Sequence, residues 1–202
     1  MTEIHIRPAT SADIPAIHAL IAADARRGGL LPRSIESITA AIDNFVVAKS
    51  SPTLRQAQDA VSNLHSPISS WAVVGCGALA PMSPNIVELR SLAVDKSLRG
   101  LGVGQKLVAY LVEAARDRNF GTIYALTRAV DFFKKCGFEI EAKENFPEKV
   151  WHDCVNCPLI ANCDEVAVAL DLTDEEDVEA DIATTQASFV NLKDIEDRKS
   201  VV

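Results

Sequence analysis

Ile86 to Gly104 reads IVELRSLAVDKSLRGLGVG, and the rest of the chain is organised around it. Ile86 to Val94 is rich in Ile, Val and Leu, as a buried strand should be. Asp95 to Leu98 form a polar connection, and Arg99-Gly100-Leu101-Gly102-Val103-Gly104 opens a helix. Three alternating glycines let backbone N–H groups approach a ligand with no Cβ in the way. The helix start adds unpaired N–H groups and the positive end of a dipole, which suits a phosphate. Its first turn carries Gln105 and Lys106 where an acid is usual, leaving room for an external anion.

The surroundings place this stretch in the middle of one folded unit. Ile4 and Ile6 alternate with polar neighbours and predict a first strand stopping at Pro8. Thr10 or Ser11 caps a helix whose stripe is Ile14, Ile17, His18 and Ile21, ended by Gly28 and Gly29. His18 on that stripe reads as a partly buried core imidazole. Ser34 caps a second helix with Ile35, Ile38 and Ile42 facing inward, and Phe45 to Ala48 is a second strand. Residues 49–70 are rich in Ser, Gln, Asn and Pro and predict a mobile surface insertion. Trp71 to Ala80 is a third strand in which Gly75 and Gly77 weaken it or mark a bend. After the glycine loop, apolar spacing from Val103 to Ala115 keeps a helix going to about Arg118. Thr122–Leu126, Phe138–Ile140 and Glu165–Leu170 supply the remaining strands, with a short helix at Val130–Cys136. The order predicts an α/β (α+β) fold, a mixed sheet with helices on both faces.

The net charge of −8 is unevenly spread, because Asp171 to Val202 holds ten acidic and three basic residues. The remainder is near neutral, which argues against a nucleic-acid partner. Residues 1–171 are expected to form one domain and 172–202 an acidic disordered tail. No apolar run has the length of a membrane span, and MTEIHIRP carries no secretory pattern. Five cysteines, an odd number, fit reduced thiols in a cytoplasm better than a disulfide scaffold. A homodimer is compatible with these features and not required by them.

Gly-x-Gly-x-x-Gly followed by an acid about 20 residues on would mark a dinucleotide site, and the spacing here differs. Arg-x-x-Gly-x-Gly after Leu-Ala-Val instead resembles the acyl-coenzyme A loop of the GNAT N-acetyltransferase superfamily. The likeness continues through Ala129-x-x-Phe132-Phe133-x-Lys135-x-Gly137-Phe138 and covers roughly Ile4 to Leu170. It implies a mostly antiparallel sheet splayed between its fourth and fifth strands. It also implies acetyl-coenzyme A as co-substrate, with Leu92, Ala93 and Val94 along the pantetheine arm. Arg99 to Gly104, with Gln105, would hold the pyrophosphate. Glu88 matches a carboxylate that acts as general base in some members, and an α-amine with pKa near 8 needs one at neutral pH. Phe133 stands where many members have a proton-donating Tyr, so no general acid is assigned.

A narrower resemblance rests on Gly29-Leu-Leu-Pro-Arg33-Ser34, Phe45-Val-Val-Ala48, Gly75-Cys-Gly-Ala78-Leu79, Glu88 to Val94, Leu126-Thr127 and Phe146-Pro-Glu-Lys149. Together these resemble short-form N-acetylglutamate synthases of arginine biosynthesis. That likeness implies direct acetyl transfer to the α-amine of L-glutamate in a ternary complex. Arg33 and Lys149 would hold the two carboxylates, with Arg90 and Arg128 as further cationic candidates. Another small amine, a protein acceptor, or a coenzyme A-binding regulatory module without catalysis stay open. Outside both resemblances, His152, Cys154, Cys157 and Cys163 could complete a tetrahedral structural zinc site, pack in a hairpin, or form a redox-sensitive pair.

Overall fold

In chain order the elements are β1 (Ile4–Pro8), α1 (Ile14–Ala25), α2 (Ile35–Ala40), β2 (Phe45–Ser50), β3 (Ala72–Pro81) and β4 (Ile86–Val94). They continue with α3 (Val103–Asp117), β5 (Thr122–Thr127), α4 (Val130–Lys134), β6 (Glu139–Glu141) and β7 (Val166–Asp171). This computed structural model describes residues 3–51, 71–147, 154–157 and 160–173. The strands form one seven-stranded sheet in the order β1-β2-β3-β4-β5-β7-β6. Every neighbouring pair is antiparallel except β4–β5, which is parallel. The mixed, mostly antiparallel sheet is the one the sequence predicts.

Alternation along the strands builds a core on each face. Phe45 and Val47 of β2 pack with Ile17 and Ile21 of α1 and Ile38 of α2. Val46 and Ala48 turn the other way, toward Leu107 and Leu111 of α3 and Phe133 of α4. The buried stripe of α3 comprises Val103, Leu107, Val108, Leu111, Val112 and Ala115. Each large apolar side chain in it contributes about 1.5–3 kcal/mol of transfer free energy, an upper figure for a compact unfolded chain. Gly75 and Gly77 let α3 lie this close. A Cβ on Gly75 would stand 2.9 Å from Leu107 Cδ1, and one on Gly77 would stand 2.8 Å from Leu111 Cδ1. These glycines serve helix contact as well as the expected bend, since the β3–β4 register also shifts between Cys76 and Ala78.

The α1 entry is fixed electrostatically. Thr10 and Asp13 form a capping box, and Arg7 grips Asp13 through both guanidinium nitrogens at 2.8 and 2.9 Å. Ser34 caps α2 as predicted, accepting from Ser37 N–H at 3.2 Å. Two expectations need correction. Strand β2 continues through Lys49 and Ser50, which pair with His5 and Ile4, because partners on both sides extend the ladder beyond the apolar run. Ile35 is exposed rather than inward-facing, since only Ile38 of the short α2 reaches the core. Most of the predicted insertion (52–70) and of the acidic tail (174–202) lies outside the described residues. Leu172, just past β7, is buried, and its N–H donates to the Gly121 carbonyl at 2.8 Å. No described helix is long and apolar enough to cross a membrane.

Candidate active site

Strands β4 and β5 pair over three rungs only, from Ile86↔Thr122 to Glu88↔Tyr124. Beyond them the strands part, and a cleft of about 580 Å³ opens between Leu89–Val94 and Ala125–Thr127. A bulge bends β4 where this happens. Its register with β3 slips between Cys76 and Ala78, and Ser91 takes φ +56°. That left-handed conformation costs a non-glycine residue about 1–2 kcal/mol. Local bonds offset it: the Ser91 hydroxyl accepts from Arg33 Nε at 2.8 Å, and its carbonyl accepts from Cys76 Sγ at 3.6 Å.

The cleft runs to the glycine loop. Asp95 caps the 3-10 turn Lys96–Leu98 by accepting from Ser97 N–H at 2.8 Å. Gly100 and Gly102 both adopt φ +79°, and Gly102 is the N-cap of α3, whose first turn holds no acid. Leu92, Val94, Arg99, Gly100 and Gly104 line the cleft. Ala93 and Val103 do not present side chains to it. Both are buried in the core on opposite faces of the sheet, so only their backbone groups are available. Leu101 and Gln105 are exposed beside the loop. Arg99 folds back over the strand, with Nε donating to the Val94 carbonyl at 3.1 Å and Nη2 to Asp24 Oδ1 at 2.6 Å. Asp24 also accepts from Arg27 Nη2 at 2.7 Å, so one carboxylate gathers two guanidinium groups at the cleft.

A second cavity, about 130 Å³, lies on the α1–α2 face of β4. Glu88 and Arg90 are two apart on the strand and so share that face. Glu88 is buried and ion-paired with Arg90, which is half-buried. Arg33, just ahead of α2, enters the same cavity and reaches Ser91 and, at 3.4 Å, the Ser37 hydroxyl. Ser91, Arg90, Leu30, Leu89 and Leu126 line both this cavity and the large cleft. The two spaces therefore share a wall.

Residues 38–138 match the Acetyltransferase (GNAT) family. An uncharacterized N-acetyltransferase of Chlorobaculum tepidum is 33% identical over 163 residues, covering 81% of this chain and 93% of the relative. The chain belongs to the GNAT acetyltransferase family. An amino-acid acetyltransferase of Mycobacterium tuberculosis is 33% identical over 138 residues, 67% of this chain and 69% of that protein. Among solved structures, N-acetylglutamate synthase of Neisseria gonorrhoeae, complexed with coenzyme A and N-acetyl-glutamate, superposes with a TM-score of 0.67 at 24% identity. That match spans 85% of this chain but 36% of the other, and at such identity it is a likeness of fold. A Mycobacterium tuberculosis protein in complex with CoA gives a TM-score of 0.63 at 26% identity, covering 84% and 99% of the two chains. The GNAT fold and CoA-bound relatives support acetyl-coenzyme A as co-substrate, and the splayed cleft with its glycine loop fits that molecule.

Within this GNAT site the expected residues fare differently. Arg33, Glu88 and Arg90 come together. Arg128 instead lines the large cleft, and its guanidinium is engaged with Asp164 at 2.6 Å, Glu165 at 3.3 Å and the Gly28 carbonyl at 3.3 Å. Lys149 and His152 lie outside the described residues. Cys154, Cys157 and Cys163 line the smaller cavity. Among the described residues, however, no group of three His, Cys, Asp or Glu side chains is placed to hold a metal. The expected structural zinc thus finds no ligand set there. Phe133 is buried at the cleft, edge-on to Phe132 at 5.3 Å and to Phe138 at 5.2 Å between ring centroids, and brings no hydroxyl. Asp24 and Ser91 carry no local sequence signal that marks them as part of the site. No periodicity marks an acid 75 residues from its arginine or a bulge inside an apolar strand.

Proposed function

We propose that this protein transfers acetyl from acetyl-coenzyme A to the α-amine of L-glutamate, the opening reaction of arginine biosynthesis. The observation that carries the proposal is the wall shared by the donor cleft and the smaller cavity, where Arg33 and Arg90 stand with Glu88 and Glu165. Two substrates seated on either side of Arg90 and Ser91 would meet without a carrier on the enzyme. The names of the Mycobacterium and Neisseria relatives point toward an amino-acid acceptor.

Bound acetyl-coenzyme A supplies an acetyl group activated as a thioester. The open edge of β4 at Leu92–Val94 offers backbone groups to its amide-bearing arm, and the loop from Arg99 to Gln105 offers N–H groups to its phosphates. Glu88 receives the proton of the attacking amine, through a water where contact is not direct. Arg33 and Arg90 hold the acceptor's carboxylates, with Lys149 as a third cation. Charge-assisted contacts of this kind offset the hydration that a dicarboxylate leaves behind. A carboxylate arriving at Arg90 competes with Glu88 for the same guanidinium, which loosens the base at the moment the acceptor binds. Arg128 enters through the loops it ties together.

No acid is required of Phe133, because a thiol with pKa about 8.5 leaves well as the anion. An acyl-enzyme is disfavoured, since burial pushes the Cys76 thiol up to about 12 and seats it in the core. A reducing cytoplasm suits cysteines that are all unbridged.

A thiol-release assay across a panel of amino acids tests the proposal. Glutamate should turn over fastest. A different preferred amine would overturn the glutamate assignment and leave the acetyltransferase. Binding of acetyl-coenzyme A with no turnover of any amine would favour a regulatory module, the reading to which Phe133 lends weight.

A further inference from the structure

The smaller cavity has a wall that the acetyl-transfer chemistry does not use. Cys154, Cys157 and Cys163 line it alongside Glu88 and Arg33. Cys154 opens the 3-10 turn Cys154–Asn156, and the Cys157 N–H donates to the Cys154 carbonyl at 2.9 Å. Side chains at i and i+3 of such a turn eclipse one another. The turn also holds their Cα atoms within about 7 Å, and a disulfide spans about 4.4–6.8 Å between Cα atoms. Cys163 belongs to a different stretch, after the turn Ile160–Asn162, and its sulfur accepts from Lys143 Nζ at 3.6 Å.

The remaining cysteines are poor targets by contrast. Cys76 is fully buried, and burial raises its thiol to about 12. Cys136 is half-buried and is also raised by burial. Oxidation requires thiolate character and access. Cys154 and Cys157 are both partly accessible and are thiols in this structure.

We propose that Cys154 and Cys157 are a dithiol site at which hydrogen peroxide reversibly closes the smaller cavity by forming a disulfide. The inference rests on reading that cavity as the acceptor site. In the first step one thiolate sulfur attacks a peroxide oxygen. The O–O bond breaks, giving a sulfenic acid, and the departing hydroxide leaves as water after taking a proton. The second thiol then attacks the sulfenic sulfur, the S–S bond forms, the S–O bond breaks, and a second water leaves. Two thiols have lost two electrons and two protons, and the hydrogen peroxide has been reduced. A small-molecule dithiol reverses the bond by exchange. The cavity is only about 130 Å³, so drawing two of its lining sulfurs together changes the space that an acceptor can occupy. None of these three cysteines lines the large cleft, so oxidation acts on the acceptor side alone.

The experiment treats the full chain with graded hydrogen peroxide and divides each sample. One part is alkylated and digested without reductant for mass spectrometry, one goes to calorimetry with acetyl-coenzyme A, and one to the acetyl-transfer assay with and without dithiothreitol. The expected result is a Cys154–Cys157 cross-link, unchanged acetyl-coenzyme A affinity, and acceptor turnover down by about 10²-fold, the scale of an ångström-sized misplacement. Dithiothreitol should restore the rate. Cys154→Ser and Cys157→Ser, each compared with its own untreated sample, should resist peroxide. Equal alkylation of both thiols before and after treatment would overturn the site. A cross-link that leaves turnover unchanged would overturn the closure. If the untreated protein acetylates no amine, the acceptor reading fails instead, and the cross-link map still decides the dithiol.

Discussion

The Glu88–Arg90 pair can be taken apart in a way that separates stability from catalysis. The Glu88 side chain is 4% exposed and that of Arg90 16%, so both charges are largely removed from water. Arg90→Met strands a buried carboxylate, and breaking one partner of such a pair costs about 3–5 kcal/mol. For a chain of this size that lowers the thermal midpoint by roughly 6–20 °C. Replacing both partners by apolar residues, Glu88→Leu with Arg90→Met, should restore most of the loss, since buried pairs are often matched by well-packed hydrophobics. The coupling between the two sites should thus be on the order of 3 kcal/mol. Activity should move otherwise. The restored double variant should remain about 10²- to 10⁴-fold slow, because the carboxylate assigned to take the amine proton is gone. Glu88→Gln alone should fall by about 10²-fold or more. Urea titrations at neutral pH, calorimetry with acetyl-coenzyme A and the acetyl-transfer assay supply the readouts. Additive single losses in the double variant would refute the buried-pair reasoning. A near-normal rate for Glu88→Gln would refute the base.

Arg33→Ala should raise the glutamate KM by roughly 10- to 150-fold, the worth of a charge-assisted contact, while steady-state constants for acetyl-coenzyme A hold. Glutamine should be a much poorer substrate than glutamate in the unmutated protein, and equal performance would remove the dicarboxylate pocket. Gly102→Val should abolish or greatly weaken acetyl-coenzyme A binding in calorimetry and destabilise the fold by about 1–2 kcal/mol through its φ of +79°. Gly102 is the cleaner test, because a Cβ there meets only Gln105 Oε1 at 3.9 Å, whereas one at Gly104 stands 3.2 Å from the Phe132 ring. Burial alone would raise the Asp13 carboxyl, yet hydrogen bonds from Arg7 and Thr10 bring it from 3.8 down to about 2. A depressed carboxyl stabilises the fold above its unfolded pKa and loses that contribution as pH falls between about 4 and 2. Asp13→Asn should therefore cost about 2 kcal/mol at pH 7 and almost nothing near pH 2, as read from urea midpoints.

Much of the fold was legible because its signals are local. The Ile-, Val- and Leu-rich run of Ile86–Val94 and the 3.6-period stripe of Val103–Ala115 each declare one element, and both bounds agree closely with the strand and helix observed. The glycine loop was legible for the same reason, as positive φ at Gly100 and Gly102 needs that residue type. The acceptor side was legible only in part. Arg33 and Glu88 are legible through the family resemblance and Arg90 through its place on the site-facing strand, and the fold brings the three to one cavity. Arg128 carried the same sequence signal, yet Asp164 and Glu165, on a segment 36 residues away, engage it. Charge alone cannot separate a side chain facing a ligand from one facing an acid brought near by topology. The bulge at Ser91 was illegible for another reason: a register slip leaves the apolar pattern of a strand buried on both faces unchanged.

That bulge links the two halves of the site. A regular β4 would keep pairing with β5 past Glu88, and the backbone edge of Leu89–Val94 would be consumed by the sheet. Bending the strand at Ser91 frees that edge for a ligand while β3 still holds the other side, as the Gly75↔Val94 and Cys76↔Ala93 pairs show. The distortion also turns the Ser91 hydroxyl toward the loop before α2, where it fixes Arg33 Nε at 2.8 Å. One residue in an uncommon conformation thus stands beside the opening of the donor cleft and orients a cation of the neighbouring cavity. Strain of this kind persists only where surrounding contacts hold it in place, and here they come from α2's approach loop and from Cys76 in the core. Relaxing Ser91 to ordinary strand geometry would straighten β4 beside the cleft and turn the hydroxyl away from Arg33 Nε, because the same residue carries the bulge and that bond.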